Sequence, residues 1–128
     1  MTKPFSLNKH ERLKSRKQID ALFLHGKAFF VFPFKIKYAL IPNVENSTLK
    51  FAISVPKKGF KKAVHRNRLK RLTRESYRIN KVELKNRLIE KKYELNIMFI
   101  YTHNEILNYQ EVETAVIKSI GKLQKLLD

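Results

Sequence analysis

Residues 49–79 read LKFAISVPKKGFKKAVHRNRLKRLTRESYRI, and the hydrophobic period changes partway along them. Leu49, Phe51, Ile53 and Val55 alternate with Lys50, Ala52 and Ser54, the two-residue period of a strand with one buried face. Gly59 closes that strand. From residue 63 to about residue 79 the period becomes helical. On a wheel of ~100° per residue, Leu69, Leu72, Thr73, Ser76 and Ile79 gather on one side. Asn67, Lys70, Arg71, Arg74 and Arg78 fill an arc of roughly 100° on the other, so one face is suited to packing and the opposite face to anions. A strand that feeds an amphipathic helix is a building block of an α+β fold.

Upstream, Phe34, Ile36 and Tyr38 alternate with Lys35 and Lys37, which predicts a strand over Phe29–Ile41. The polar stretch from Pro42 to Ser47 predicts a turn, so Leu49–Val55 is expected to be the antiparallel partner of that strand. Further back, Ser15 with Gln18 three residues on has the form of a capping box. A short helix follows through Ile19, Leu22 and Phe23, and Gly26 is a natural stop. Residues 1–14 are polar and basic, and are expected to form an extended arm.

Downstream, a second helical stretch around Val82–Lys91 is expected to be short and exposed. Residues Leu95–Tyr101 are apolar at nearly every position, as a central strand covered on both faces requires. Asn108 and Glu111 can cap a last helix, whose apolar stripe is Val112, Val116, Ile120, Leu123 and Leu127, interrupted by Gly121. The expected order is α-β-β-α-β-α: one α+β domain over residues 1–128, a two-layer sandwich with a small, mostly antiparallel sheet. No internal repeat is visible.

Composition narrows the partners. Lys and Arg number 28 against 11 acids, a net charge of +17. Such a field attracts polyanions, and contacts to phosphates release counterions, so nucleic acid is the expected partner class. The hydrophobic fraction of 43%, with nine Phe and five Tyr, supplies a core, which excludes a merely basic disordered tail. There is no Cys, hence no disulfide and no thiolate zinc site. No signal peptide is evident, and no apolar run approaches the ~18 residues of a membrane span. A soluble, cytoplasmic protein without a membrane partner is expected.

The charge is concentrated. Residues 57–78 hold ten Lys or Arg against Glu75 alone, net +9. A solvated helix face usually alternates signs at i,i+4; this one repels itself, which an anionic partner would relieve. Within it, His65-Arg66-Asn67-Arg68-Leu69-Lys70-Arg71-Leu72-Thr73-Arg74-Glu75 resembles the "RNR" signature of the bacterial ribonuclease P protein family. In that family a strand ending in Ser-Val-x-Lys-Lys leads into an Arg-Asn-Arg helix. Here the lead is Ser54-Val55-Pro56-Lys57-Lys58, followed by Gly59 and Ala63-Val64. Arg12-Leu13, Phe23 and Gly26 also match, and the resemblance spans about residues 11–122.

The resemblance implies a protein subunit that binds a catalytic RNA and the 5′ leader of precursor tRNA. Arg66, Asn67, Arg68, Lys70, Arg71 and Arg74 would dock on the RNA subunit; arginine's planar fork suits phosphates, and Asn67 can bond backbone or base edges. A cleft walled by the first helix, one sheet face and the last helix would hold the leader, with Ile19, Phe23, Lys37, Tyr38, Lys58 and Ile120 as its residues. Ile19 and Ile120 stand where relatives often carry Phe, and isoleucine cannot offer a π-face.

No catalytic constellation appears in the sequence itself. Glu111 and Glu113, at i,i+2, point to different sides of a helix. His10, His25, His65 and His103 have no ligand spacing, and Gly26, Gly59 and Gly121 make no phosphate loop. No small-molecule substrate is expected. Hydrolysis of the leader is expected to belong to the RNA, with Mg²⁺ held mainly by RNA phosphates and none bound by the protein. Rival readings are a ribosomal or other structural RNA-binding protein, a helix-turn-helix DNA binder, and a protein-only nuclease.

Overall fold

Eight elements follow one another in the computed structural model, which describes residues 11–42 and 49–128. They are α1 (Arg16–His25), β1 (Lys27–Val31), β2 (Phe34–Pro42), β3 (Leu49–Ser54), α2 (Ala63–Asn80), α3 (Val82–Lys91), β4 (Tyr93–Tyr101) and α4 (Tyr109–Lys125). The expected turn after Pro42 and residues 1–10 of the expected arm lie outside the described residues.

Local chemistry sets the ends of the helices. Ser15 Oγ accepts from the Gln18 N–H at 3.3 Å, while the Gln18 side chain accepts from Lys50 Nζ at 3.4 Å instead of closing the box. Gly26 stops α1 by close approach: a Cβ there would lie 2.3 Å from Leu22 O. At α4 both halves of the Asn108–Glu111 capping box form, at 2.9 and 3.3 Å. The whole expected stripe of that helix, from Val112 to Leu127, is buried.

The strand expected over Phe29–Ile41 is two strands. Pro33 has no N–H to give to a ladder, and the chain turns back there, so that β1 pairs antiparallel with β2 from Lys27↔Tyr38 to Val31↔Phe34. The expected β2–β3 hairpin is also corrected. The sheet order is β1-β2-β4-β3, with β4 antiparallel to β2 and parallel to β3. β4 is buried from Leu95 to Phe99 on both faces, which suits a central position, and α2 with α3 supplies the long crossover a parallel pair needs. The α+β class and the mostly antiparallel sheet stand as expected, with one further strand and α3 added to the order.

On one face of the sheet, Phe34, Ile36, Phe51, Ile97 and Phe99 pack against α2, α3 and α4. The Phe51 and Tyr77 rings stack at 3.9 Å, nearly parallel. Tyr77 holds the core position on α2, whereas Ile79, expected there, is exposed. The second helical stretch is no exposed appendage either: Leu84 and Leu88, one turn apart, are buried. On the other face lies α1, its Leu22 forming a smaller cluster with Leu13 and Met98. Residues 11–13 run along the outer edge of β3 through Arg12↔Phe51. Glu11 ion-pairs with Lys81, whose side chain is fully buried, and with Lys85. Burial lowers the Lys81 ammonium from its ordinary range, and the Glu11 carboxylate works against that shift.

Candidate RNA interface

Because Leu69, Thr73, Ser76 and Tyr77 anchor α2 to the core, its opposite face is turned outward. Asn67, Arg68, Arg71 and Arg74 are exposed there and Lys70 is half-buried. Asn67, Arg68 and Arg71 line one shallow groove together with Val64 and His65. Arg74 lines another with Arg12 and Lys14, alongside the β3 backbone from Phe51 to Ile53. The cationic surface therefore runs off the helix onto residues 12–14, an extension that only the fold reveals.

Two arginines have local duties. Arg66 Nη1 donates to Phe60 O at 2.5 Å and to Lys61 O at 2.9 Å, so this guanidinium braces the loop between β3 and α2. Arg78 bonds Glu75 at 2.5 Å and holds that carboxyl below the usual carboxylate range, chiefly through the hydrogen bond. Among the described residues, Arg68, Arg71 and Arg74 show no such internal pairing.

The second candidate surface is the sheet face on which α1 lies. Phe23 is 46% exposed. Its carbonyl accepts from Lys37 Nζ at 3.0 Å, and the same ammonium stands 4.9 Å from the centre of its ring. Ile19 is half-buried in the α1 cluster. The register sets Phe30, Lys35, Ile100 and Ser54 in one row across this face. Phe30 is 55% exposed, Lys35 is exposed, and Ile100 and Ser54 are half-buried. This row went unrecognised in the sequence because it depends on β4 lying between β2 and β3.

The structure does not bring all the expected cleft residues together. Ile19, Phe23 and Lys37 share the α1 face. Tyr38 follows Lys37, so its side chain points to the other face, where its ring meets Phe29 at 5.8 Å between centroids. Ile120 is 4% exposed and belongs to the main core, as its place in the α4 stripe requires. The last helix thus covers the opposite face of the sheet from α1. Lys58 is exposed beyond the end of β3.

Among the described residues no three of His, Asp and Glu gather as metal ligands, and no helix is long and apolar enough to cross a membrane. The donor set for a protein-held metal ion is therefore missing from the described residues.

Comparison with known proteins agrees on one family. The Ribonuclease P family model matches residues 7–124. The ribonuclease P protein component of Porphyromonas gingivalis is 41% identical over 125 residues, covering 96% of this chain and 91% of that protein. The counterpart from Borrelia turicatae is 32% identical over 113 residues, covering 88% and 91%. Among solved structures, the Staphylococcus aureus RNase P protein aligns with a TM-score of 0.67 at 21% identity, over 94% of this chain and all of that one. The Thermotoga maritima RNase P protein aligns at 0.66 and 24% identity, over 88% and 96%; these two likenesses speak for the fold. A match along nearly the whole chain, joined to a basic helix anchored on this sheet, places the chain in the ribonuclease P protein family.

Proposed function

We propose that this chain is the protein subunit of a cytoplasmic ribonuclease P ribonucleoprotein, acting in the 5′ maturation of tRNA. α2 docks on the catalytic RNA through Arg68, Arg71 and Arg74, with Asn67 and Lys70 beside them and Arg66 contributing the part of its fork that the loop leaves free. The α1 face of the sheet holds the single-stranded 5′ leader of precursor tRNA. Ile19 packs against it, Phe23 offers a ring to an unpaired base, Lys37 takes a phosphate, and Lys58 extends the cationic path. Tyr38 and Ile120 support that sheet from behind.

The observation that carries the reading is the row of arginines on α2, exposed, close together and, among the described residues, without carboxylate partners for Arg68, Arg71 and Arg74. In this reading the chain contributes no reacting group. It positions the leader and screens phosphate repulsion, while Mg²⁺ is held mainly by RNA phosphates and hydrolysis is carried out in the RNA. Reconstitution provides the test. Adding the protein to a bacterial ribonuclease P RNA should restore leader removal at low Mg²⁺, and the rigorously RNA-free protein should cleave nothing. Cleavage by the protein alone, or failure to lower the Mg²⁺ requirement, would overturn it.

A further inference from the structure

Residues 11–14 cross the outer edge of β3 and are fastened on both faces of the sheet. Their backbone contact is slight: an isolated bridge, Arg12↔Phe51, in which the Leu13 N–H donates to Phe51 O at 2.9 Å. So short a ladder fixes register weakly, and side chains supply the remaining hold. Leu13 is buried with Leu22 and Met98 beneath α1. On the opposite, helix-covered side the Glu11 carboxylate pairs with Lys81, the residue that joins α2 to α3, and stands 3.2 Å from Lys85 Nζ.

The Lys81 side chain is 0% exposed and that of Glu11 6%. A pair withdrawn so far from water gains little stability over an apolar pair of the same volume. What it adds is direction. An ammonium and a carboxylate satisfy each other in few arrangements, whereas an apolar contact alone would let the arm slide. The acid is also placed where it does no harm to an anionic partner, since burial and two ammonium groups neutralise it.

Arg12 and Lys14 remain outside, both exposed. With Arg74 they line a groove of about 290 Å³ along β3, and among the described residues no carboxylate lines it. An arm that fluctuated would have to be ordered when RNA binds, at a cost in affinity. One fixed during folding offers its cations at a spacing set beforehand. We infer that Glu11 is a positioning residue for assembly with the RNA subunit: its hold on Lys81 and Lys85 sets Arg12 and Lys14 beside Arg74 as one phosphate-binding row. This rests on the docking role proposed above for α2.

Two charge-conserving variants test it in titrations with the RNA subunit. Glu11→Gln combined with Lys81→Met removes both charges together, so no unpaired buried ion is left and the net charge stays at +17. Glu11→Asp keeps the carboxylate but withdraws it by one methylene. The double variant should bind about tenfold more weakly, the scale of ordering two long side chains on binding, and Glu11→Asp should shift in the same direction. In protein that already carries Arg12→Ala and Lys14→Ala the double variant should cost nothing further. In Arg71→Ala protein it should cost its full factor, because Arg71 lines a different groove. Unchanged affinity in both variants would overturn the inference. So would an equal loss without Arg12 and Lys14, or a loss that shrinks with Arg71→Ala, either of which would mean a general disturbance of the fold. Should the double variant lose its cooperative melt, Glu11→Asp in the same two backgrounds decides. If Arg68→Ala and Arg71→Ala leave affinity intact, the docking role of α2 falls and this inference with it; if they weaken binding while the Glu11 variants do not, this inference alone falls.

Discussion

At the scale of single residues, neighbours in one motif turn out to do different work. Arg66, Arg68 and Arg71 read alike in the sequence, yet only Arg66 is bonded to the carbonyls of Phe60 and Lys61. Alanine at Arg68 or Arg71 should weaken assembly with the RNA subunit by ~1–3 kcal/mol and flatten its salt dependence, without moving the melting temperature. Alanine at Arg66 should do both, because the loop loses its brace. Equal melting temperatures for all three variants would deny that role. Phe23 presents the complementary case. At 46% exposure, its truncation should cost ~1 kcal/mol of stability, well short of the ~3–5 kcal/mol of a buried phenylalanine. Binding of leader-bearing precursor tRNA should fall about fivefold or more, as loss of a stacking platform implies, with leaderless tRNA unaffected. Paired titrations and a thermal melt check both halves, and a large loss of stability with unchanged leader discrimination would make Phe23 structural.

At the scale of elements, the packing of α2 leaves two side-chain hydroxyls, those of Ser76 and Tyr77, buried without a hydrogen-bond partner among the described residues. The Tyr77 ring nonetheless stacks on Phe51. Burial, and secondarily the Glu11 carboxylate, raise this phenol well above its ordinary value of 10.0. The folded protein therefore holds the proton more tightly than the unfolded chain does. The associated stability is complete below about pH 10 and declines as the pH rises beyond it. Tyr77→Phe should raise stability near neutral pH by ~1 kcal/mol, since it removes an unsatisfied buried hydroxyl. It should also make the melting temperature fall less steeply above pH 10; parallel slopes for the two proteins would contradict the assignment. The sequence marked α2, α4, β4 and the α1 cap because each is governed by short-range spacing. It did not mark Tyr77 as core, because Tyr77 and Ile79 both border the apolar arc and only the stack on Phe51 decides between them. The expected β2–β3 hairpin failed for a similar reason: adjacency in sequence favours pairing, but the doubly buried β4 has the stronger claim to the centre. Of the residues expected in one cleft, Ile19, Phe23 and Lys37 do share the α1 face of the sheet. Tyr38 and Ile120 were drawn in by resemblance, and strand alternation and the α4 stripe turn them to the opposite side.

At the scale of the whole molecule, residues far apart in the chain converge. The basic arc on α2, the groove formed by Arg12, Lys14 and Arg74, and the α1 face of the sheet all depend on one mixed sheet. Its strand order, β1-β2-β4-β3, puts the last strand in the chain between two earlier ones. Contacts that span so much sequence close slowly, since the intervening loop must be ordered before they are rewarded. A fragment ending at Lys92 would contain every arginine of α2, yet β2 and β3 would each present an edge with nothing between them. Such a fragment should melt without a cooperative transition, whereas the full chain should show one; a sharp transition in the fragment would mean that the sheet closes without its centre. During synthesis the same geometry acts as a clock. The chain emerges with its charge early and its shape late, and the surface proposed for RNA comes into being only when the ribosome has delivered residues 93–101.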